Sequence, residues 1–274
     1  MPQLSAAVFP LVPKFGTGGF RLGKATRRIR DAGRIVEVVQ YSHVKKTDGP
    51  AVRQAKKKKT SAVMQAWNNK SSTRKFELML AANYRPGDVL GTLTFDDDHL
   101  PSSKAEVDRR FKYWREKIRK RYMADGLDPV IFWRVEHRHG DGRWHVHFIL
   151  TATGNDYEKI RSSWIYGPVQ DYKSLRVDEE KNYRTIAEYL TKERPDKLGQ
   201  RGWSYTRNAR KPQEEWDVVE EDDAPVIPEG VIVLESTVSE TQYGRHYYHR
   251  YMLQPNVCAP RVRARRRRRR KKPR

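Results

Sequence analysis

The sequence is poor in cysteine and in long apolar runs, and each shortage excludes a class of protein. Cys258 is the single cysteine among 274 residues, so neither an intrachain disulfide nor a cysteine-based zinc site is possible. No stretch approaches the roughly 20 apolar residues that cross a bilayer. Residues 1–20 lack the charged start and the continuous apolar run of a secretory signal. We therefore expect a protein of the reducing cytoplasm without a membrane partner.

Acidic residues are scarce near both ends of the chain, and positive charge is concentrated there. The formal net charge is +22, from 56 Lys+Arg against 34 Asp+Glu. Residues 1–75 carry 17 Lys+Arg and 3 Asp+Glu, and residues 261–274 carry 11 basic residues and no acid. Such runs repel themselves and bury no core, so we expect basic tails that are disordered when free. Their natural partner is a polyanion, most simply nucleic acid.

Between the tails, the hydrophobic pattern predicts an α+β fold with a central antiparallel sheet flanked by helices. Apolar residues recur every three or four positions in the predicted helices, and β-forming residues dominate the predicted strands. The helices are predicted over residues 76–83, 103–122, 157–164 and 183–192, and the strands over 35–39, 89–95, 130–135, 144–151, 231–234 and 247–253. A Gly-Asp-Gly sequence at 140–142 indicates a hairpin between the third and fourth of these strands.

Composition divides the chain into five parts. A basic N-terminal extension over residues 1–75 precedes a globular domain over 76–212. Residues 213–240 contain ten acidic and no basic residues. We interpret 213–228 as an acidic linker, although the acidic stretch could also screen the basic tails or imitate DNA. The predicted C-terminal strand pair then covers 229–260, and the Arg/Lys-rich tail covers 261–274.

A His-x-His pair on a predicted strand is the strongest chemical signal. Side chains two apart on a strand point to the same face, so His145 and His147 converge while Val146 faces the core. Glu136 ends the preceding strand and faces the two histidines if the hairpin folds around residues 140–142. Two imidazoles with one carboxylate form a mixed ligand set, for which we predict Mg²⁺ or Mn²⁺.

A tyrosine and a lysine on a predicted helix complete a possible reaction centre. Tyr189 and Lys192 are three residues apart and share a helix face. A phenol can attack a phosphodiester and remain linked to the phosphate, while a metal ion neutralises the developing charge. An ammonium group nearby can stabilise or orient the phosphate.

The ordered motifs resemble those of the HUH endonucleases that initiate rolling-circle replication. The resemblance rests on Leu93-Thr94-Phe95, Glu136, the His145–His147 pair and Tyr189-x-x-Lys192. It is closest to the replication-associated proteins of small phages and plasmids, related to the filamentous-phage gene II protein. Residues 84–88 and 201–208 also resemble that group, so the likeness covers about residues 70–212.

The resemblance implies a fold, an activity and a set of partners. Residues 76–212 are expected to form an HUH-type nuclease domain, with the histidines on a middle strand and the tyrosine on a facing helix. Such proteins nick one strand at an origin, remain joined to the 5′ phosphate through tyrosine, and later rejoin the displaced strand. The implied partners are single-stranded origin DNA, a host polymerase and a host helicase in the bacterial cytoplasm. The sequence contains no G-x-x-x-x-G-K-[ST] motif with which the chain could drive unwinding itself.

Three alternatives stay open from the residues. Some relatives use two tyrosines, but Tyr183 lies about 240° from Tyr189 around a helix, which favours Tyr189 alone. His137 and His139 could replace the predicted ligands, because a one-residue slip exchanges the faces of a strand. The whole chain could instead be a non-catalytic nucleic-acid-binding or packaging protein that acts through its tails.

We also predict a set of arginines as DNA contacts. Four of them lie on the Arg-rich helix, one lies in the 201–208 segment, and two lie in the C-terminal tail. They are Arg109, Arg110, Arg115, Arg119, Arg207, Arg266 and Arg268.

Overall fold

The computed structural model describes most of the chain between Gly23 and Leu253. The described residues are 23–42, 62–139, 142–154, 156–176, 182–192, 202–241 and 244–253. Cys258 and the predicted tail, with Arg266 and Arg268, lie outside them. None of the described helices is long and apolar enough to cross a membrane.

Ten strands, four α-helices and one short 3₁₀ helix make up the described part of the chain. The 3₁₀ helix is Asp97–His99, and the helices are α1 (Ala62–Asn83), α2 (Lys104–Ala124), α3 (Asp156–Ser163) and α4 (Arg184–Thr191). The strands are β1 (Lys24–Asp31), β2 (Ile35–Ser42), β3 (Val89–Leu93), β4 (Ile131–His139), β5 (Arg143–Leu150), β6 (Val169–Ser174), β7 (Ser204–Tyr205), β8 (Gln213–Glu220), β9 (Ile232–Thr241) and β10 (Gly244–Met252).

The strands form two antiparallel sheets of five strands each, which confirms the predicted α+β class. The central sheet has the order β6-β3-β5-β4-β7, and the second sheet has the order β8-β1-β2-β10-β9. The predicted hairpin is present as β4 and β5, whose register pairs Glu136 with His145.

Side-chain alternation along β5 gives the central sheet two buried faces. Val146, Phe148 and Leu150 pack with residues of α2 and α3 in one cluster. Ile149 lies on the other face and packs with residues of α1 and α4 in a second cluster. Phe148 needs room on β3, because a Cβ atom at Gly91 would lie 2.6 Å from its ring. Full burial of such apolar side chains stabilises the fold by about 1.5–3 kcal/mol each.

The second sheet packs one face on α1 and covers the other with a connecting segment. Ile35 of β2 contacts Leu78 of α1 in one buried cluster. On the opposite face, Val36 and Tyr251 pack with Ile227, which belongs to the segment between β8 and β9. Helix α1 is therefore shared by both sheets.

Buried charges join α1 to α4 and to the second sheet. The Glu77 carboxylate of α1 is fully buried. It accepts a hydrogen bond of 3.0 Å from Arg184 Nε and another from Arg250 of β10. Arg184 Nη2 also donates to Glu235 of β9 at 3.2 Å. The first residue of α4 is thereby tied to both α1 and β9.

The structure corrects the prediction of a linker over residues 213–228. Residues 213–220 form β8, and β8 pairs with β1 along its whole length. The charges of the two strands explain the pairing, because Arg30 Nε donates to Glu214 at 2.8 Å and Lys24 pairs with Glu220. The basic extension predicted over residues 1–75 accordingly contains two strands of a sheet and the first part of α1.

Removing the Glu77 carboxylate should destabilise the protein strongly. We expect Glu77→Ala to lower the free energy of unfolding by about 3–5 kcal/mol, because Arg250 then loses this partner while buried. The control is Glu188→Ala, which removes an exposed partner 3.5 Å from the same Arg184 and should cost at most about 0.5 kcal/mol. Urea unfolding followed by circular dichroism measures both losses. Equal losses would contradict the role assigned to Glu77.

Candidate active site

The predicted site residues lie together on the face of the central sheet that α1 and α4 cover. Directly opposed residues of neighbouring strands share a face. The register of β4 and β5 sets Glu136 against His145 and Arg134 against His147. The register of β3 and β5 sets Thr92 against His147. Val146 lies on the other face within the core, as the alternation predicts.

His147 is held at both ring nitrogens. Its Nε2 contacts the Glu136 carboxylate, and its Nδ1 lies 2.9 Å from the Thr92 hydroxyl. His147 and Glu136 are both buried, whereas His145 is half-buried. A hydrogen bond at one ring nitrogen fixes the tautomer and the orientation of the ring. The orientation of His147 is therefore set by Thr92 and Glu136.

Tyr189 of α4 packs against His147. The two ring centroids are 5.8 Å apart, and the ring planes meet edge to face at 76°. Tyr189 is 52% exposed, so its side chain reaches the protein surface. Tyr189 therefore lies between the buried His147–Glu136 pair and the protein surface.

Helix α4 has only eight residues, and contacts at its C-terminal end hold it against the site. Arg134 Nη1 donates to the Leu190 carbonyl oxygen at 2.6 Å. The hydroxyls of Thr73 and Thr191 are 2.7 Å apart, which ties the same end of α4 to α1. Lys192 caps the helix and is exposed one turn beyond Tyr189.

The surroundings of Tyr189 keep its phenol protonated. Burial raises the pKa of Tyr189, and the negative charges of Glu136 and Asp171 raise it further. A phenol attacks as its phenolate, so a positive charge near the hydroxyl would favour reaction.

Tyr183 belongs to the core rather than to the site. It is 2% exposed, and its hydroxyl donates to the Tyr84 carbonyl oxygen at 2.6 Å. Burial raises the pKa of Tyr183 to about 12. This location agrees with the interpretation that Tyr189 acts alone.

The alternative ligand His137 faces away from the site. Its ring lies 4.0 Å from that of Trp144, measured between centroids, on the opposite face of the hairpin from Glu136. The side chain of His139 lies outside the described residues. The register observed for β4 and β5 therefore keeps Glu136 beside the histidine pair.

One carboxylate and two imidazoles are the donor types that the sequence predicts for a divalent cation. They come from two neighbouring strands, on one face, next to an accessible tyrosine. Glu136 and His147 contact each other directly. Among the residues that the structure describes, no three His, Cys, Asp or Glu side chains surround a common point. The three residues therefore fit a cation in the chemistry of their donor atoms, while Glu136 and His147 are in contact with each other.

Three of the predicted DNA contacts line one groove between α2 and β7. The groove has a volume of about 620 Å³, and its lining includes Arg115, Arg119 and Arg207. Arg115 also packs over the Trp133 ring at 4.2 Å. Arg110 lies elsewhere on α2, over the Tyr166 ring, and Arg109 is 3.8 Å from Glu106. The structure therefore does not bring Arg109 and Arg110 together with the other three.

Sequence reasoning missed two residues of the site, Thr92 and Arg134. Thr92 lies one residue before the Leu93-Thr94-Phe95 motif, and Arg134 lies two residues before Glu136. The period of two along each strand is the signal that could have found them. This alternation places Thr92 of β3 and Arg134 of β4 on the same face of the sheet as His147.

Comparison with known families confirms the predicted resemblance over part of the chain. Residues 88–194 match the family model of the replication-associated protein ORF2/G2P. The matched segment runs from β3 to α4 and includes Glu136, His145, His147 and Tyr189. No curated protein and no solved structure matches the chain significantly.

Neutralising Glu136 should make Tyr189 easier to ionise. We expect Glu136→Gln to lower the pKa of Tyr189 towards its ordinary value, because the carboxylate charge that opposes the phenolate is removed. The absorbance of phenolate, titrated with and without Tyr189→Phe in each background, isolates this group. Glu188→Gln is the control, since Glu188 is exposed and pairs with Arg184. An unchanged pKa in Glu136→Gln would contradict the electrostatic coupling.

Proposed function

We propose that this protein initiates rolling-circle DNA replication by cutting one strand with Tyr189. The single observation that carries the proposal is the packing of the half-exposed Tyr189 ring on His147, which is itself paired with Glu136. All three residues lie within the segment that matches the replication-associated family.

The proposed reaction transfers one phosphate from DNA to the protein. The Tyr189 hydroxyl oxygen attacks the phosphorus, and the bond from phosphorus to the 3′ oxygen breaks. The phenol loses its proton, the 3′ oxygen gains one, and a 5′-phosphotyrosyl linkage remains. The free 3′-OH can then serve a host polymerase. Attack by a 3′-OH on the same linkage reverses the chemistry and rejoins the displaced strand.

Glu136, His145 and His147 are the residues proposed to hold Mg²⁺ or Mn²⁺. Such an ion supplies positive charge that neutralises the phosphate oxygens. Thr92 keeps the His147 ring oriented through its hydrogen bond. Lys192, one turn from Tyr189, is proposed to stabilise or orient the phosphate with its ammonium group.

The groove between α2 and β7 is proposed as a path for the DNA backbone. Arg115, Arg119 and Arg207 provide guanidinium groups that suit phosphate oxygens. The tail, with Arg266 and Arg268, would add contacts that do not depend on DNA sequence. A host helicase is the proposed source of unwinding, in the cytoplasm of a bacterial host.

Replacing Tyr189 with Phe should abolish a covalent protein–DNA product. The full chain is incubated with Mn²⁺ and labelled single-stranded origin DNA, and the product is separated on a denaturing gel. We expect Tyr189→Phe to lose the shifted band, and His147→Ala with it. Tyr183→Phe is the matched control and should keep the band, because the Tyr183 hydroxyl is buried in the core.

A binding assay on native complexes, run beside this gel, distinguishes the enzyme from a tail-driven binding protein. If Tyr189→Phe retains the band, Tyr189 is not the nucleophile. If no adduct forms on any origin fragment, and deletion of residues 261–274 alone abolishes binding, the chain is a non-catalytic binding protein.

Replacing Arg207 should weaken DNA binding through one phosphate contact. We expect Arg207→Ala to reduce the slope of log affinity against log salt by about one. Arg109→Ala lies outside the groove and is the comparison. Fluorescence anisotropy with labelled DNA at several salt concentrations measures both slopes. A loss confined to Arg109→Ala would place the DNA on the exposed side of α2 instead.

A further inference from the structure

The second sheet leaves part of its α1-facing side uncovered. Thr26 is paired with Tyr41 on one side and Val218 on the other. Arg28 is paired with Trp216. These five residues share the face that packs on α1, because directly opposed residues lie on the same side of a sheet. They form what we call the aromatic face, and it lies outside the segment that matches the family.

Large aromatic rings are exposed on this face and on the helix beside it. Trp216 is 54% exposed and Tyr41 is 40% exposed. Trp67 of α1 is 63% exposed. It precedes Arg74 by seven residues, or nearly two full turns, so both project from one side of α1. Arg74 packs over the Tyr248 ring of β10 at 4.1 Å, and this side of α1 therefore faces the second sheet.

Cationic groups accompany the rings. The Arg28 guanidinium lies over the Trp216 ring, 5.2 Å from its centroid. Arg28 Nε and Arg74 Nε are buried and have no hydrogen-bond partner within the described residues. Residues 65–75 of α1 contain three basic and no acidic residues. Glu214 and Glu220 of β8, on the same face, pair with Arg30 and Lys24, so the guanidinium beside Trp216 is that of Arg28.

Exposed rings with neighbouring guanidinium groups are the chemistry that binds unpaired bases. Aromatic rings stack on bases regardless of their sequence, and cations contact the backbone between them. Duplex DNA offers only base edges and phosphates to such a surface. A second copy of the chain would cover the rings but offers no unpaired bases to stack on them.

We propose that the aromatic face binds single-stranded DNA by base stacking on Trp216, with Arg28 contacting the backbone. The inference rests on the proposed function for its choice of DNA as the polymer. It adds a second contact region, on the far side of α1 from the central sheet. One strand can then stay bound there while Tyr189 acts on a phosphate elsewhere.

Binding of unpaired DNA by Trp216 variants tests this proposal. The full chain is titrated into labelled oligothymidine of about 16 nucleotides, at about 0.2 M salt so that charge contacts are weakened. We expect Trp216→Ala to raise the Kd about tenfold, as loss of one stacked base predicts. Trp216→Phe should retain the affinity, because it keeps a ring. Binding to duplex DNA of equal length should not change in Trp216→Ala.

Tyr113→Ala is the matched control, and Arg28→Gln is the second variant. Tyr113 is also exposed and carries a cation over its ring, Lys117 at 4.8 Å, but it lies on α2. It should leave the Kd unchanged. Arg28→Gln keeps every ring and should weaken binding with a salt slope lower by about one. It tests the face even if Trp216→Ala fails to fold.

Three results would overturn the proposal. They are an unchanged Kd in both Trp216→Ala and Arg28→Gln, an equal loss for duplex DNA, and a loss of self-association in sedimentation at unchanged affinity. A loss of self-association would show that the aromatic face binds a second copy of the chain. Adduct formation by Tyr189 is scored separately on the denaturing gel. If the cutting reaction fails, the Kd measurements therefore still test DNA binding by the aromatic face.

Discussion

The structure depends on the buried carboxylate of Glu77, which holds two arginines from different parts of the chain. Arg184 begins the helix of the candidate nucleophile, and Arg250 lies in the second sheet. Removing one member of such a buried set leaves another charged and unpaired, so the three residues are strongly coupled. Since α1 carries Glu77, it can neither rotate nor slide without breaking contacts to both sheets. The second sheet is thus part of the framework that positions Tyr189.

The candidate site adds a second constraint, which is the register of β4 and β5. Val146 and Phe148 are buried on one face, and this burial determines that His145 and His147 occupy the other. A slip of one residue would move the histidines into the apolar core. Helix α4 is too short to be stable by itself, and it keeps its place because Arg134 and Thr73 bind its end. The geometry of the site therefore follows from packing and from contacts outside the reacting groups.

Much of this arrangement could be predicted from the sequence, and the failures have a common physical cause. The β4–β5 hairpin, the histidine face and α2 follow clear periodic patterns of apolar residues. Strands β1 and β8 do not, because charged residues interrupt them and their stability comes from each other. Arg30 and Glu214 illustrate this. Each charged residue, considered alone, is typical of a solvent-exposed segment, but Arg30 Nε lies 2.8 Å from the Glu214 carboxylate. The basic segment and the distant acidic segment thus form two neighbouring strands of one sheet.

The pairing of β1 with β8 also determines the order in which the two sheets can form during synthesis. Arg30 and Glu214 are 184 residues apart in sequence, so the second sheet cannot close until the ribosome has made nearly all the described chain. Residues from β3 to β7 are contiguous and are free to assemble earlier, as local contacts form faster than distant ones. The contact of Arg184 with Glu235 likewise cannot form until β9 has been made. A nascent or truncated chain that ends before β9 would have the histidines and the tyrosine but not the contact of α4 with Glu235.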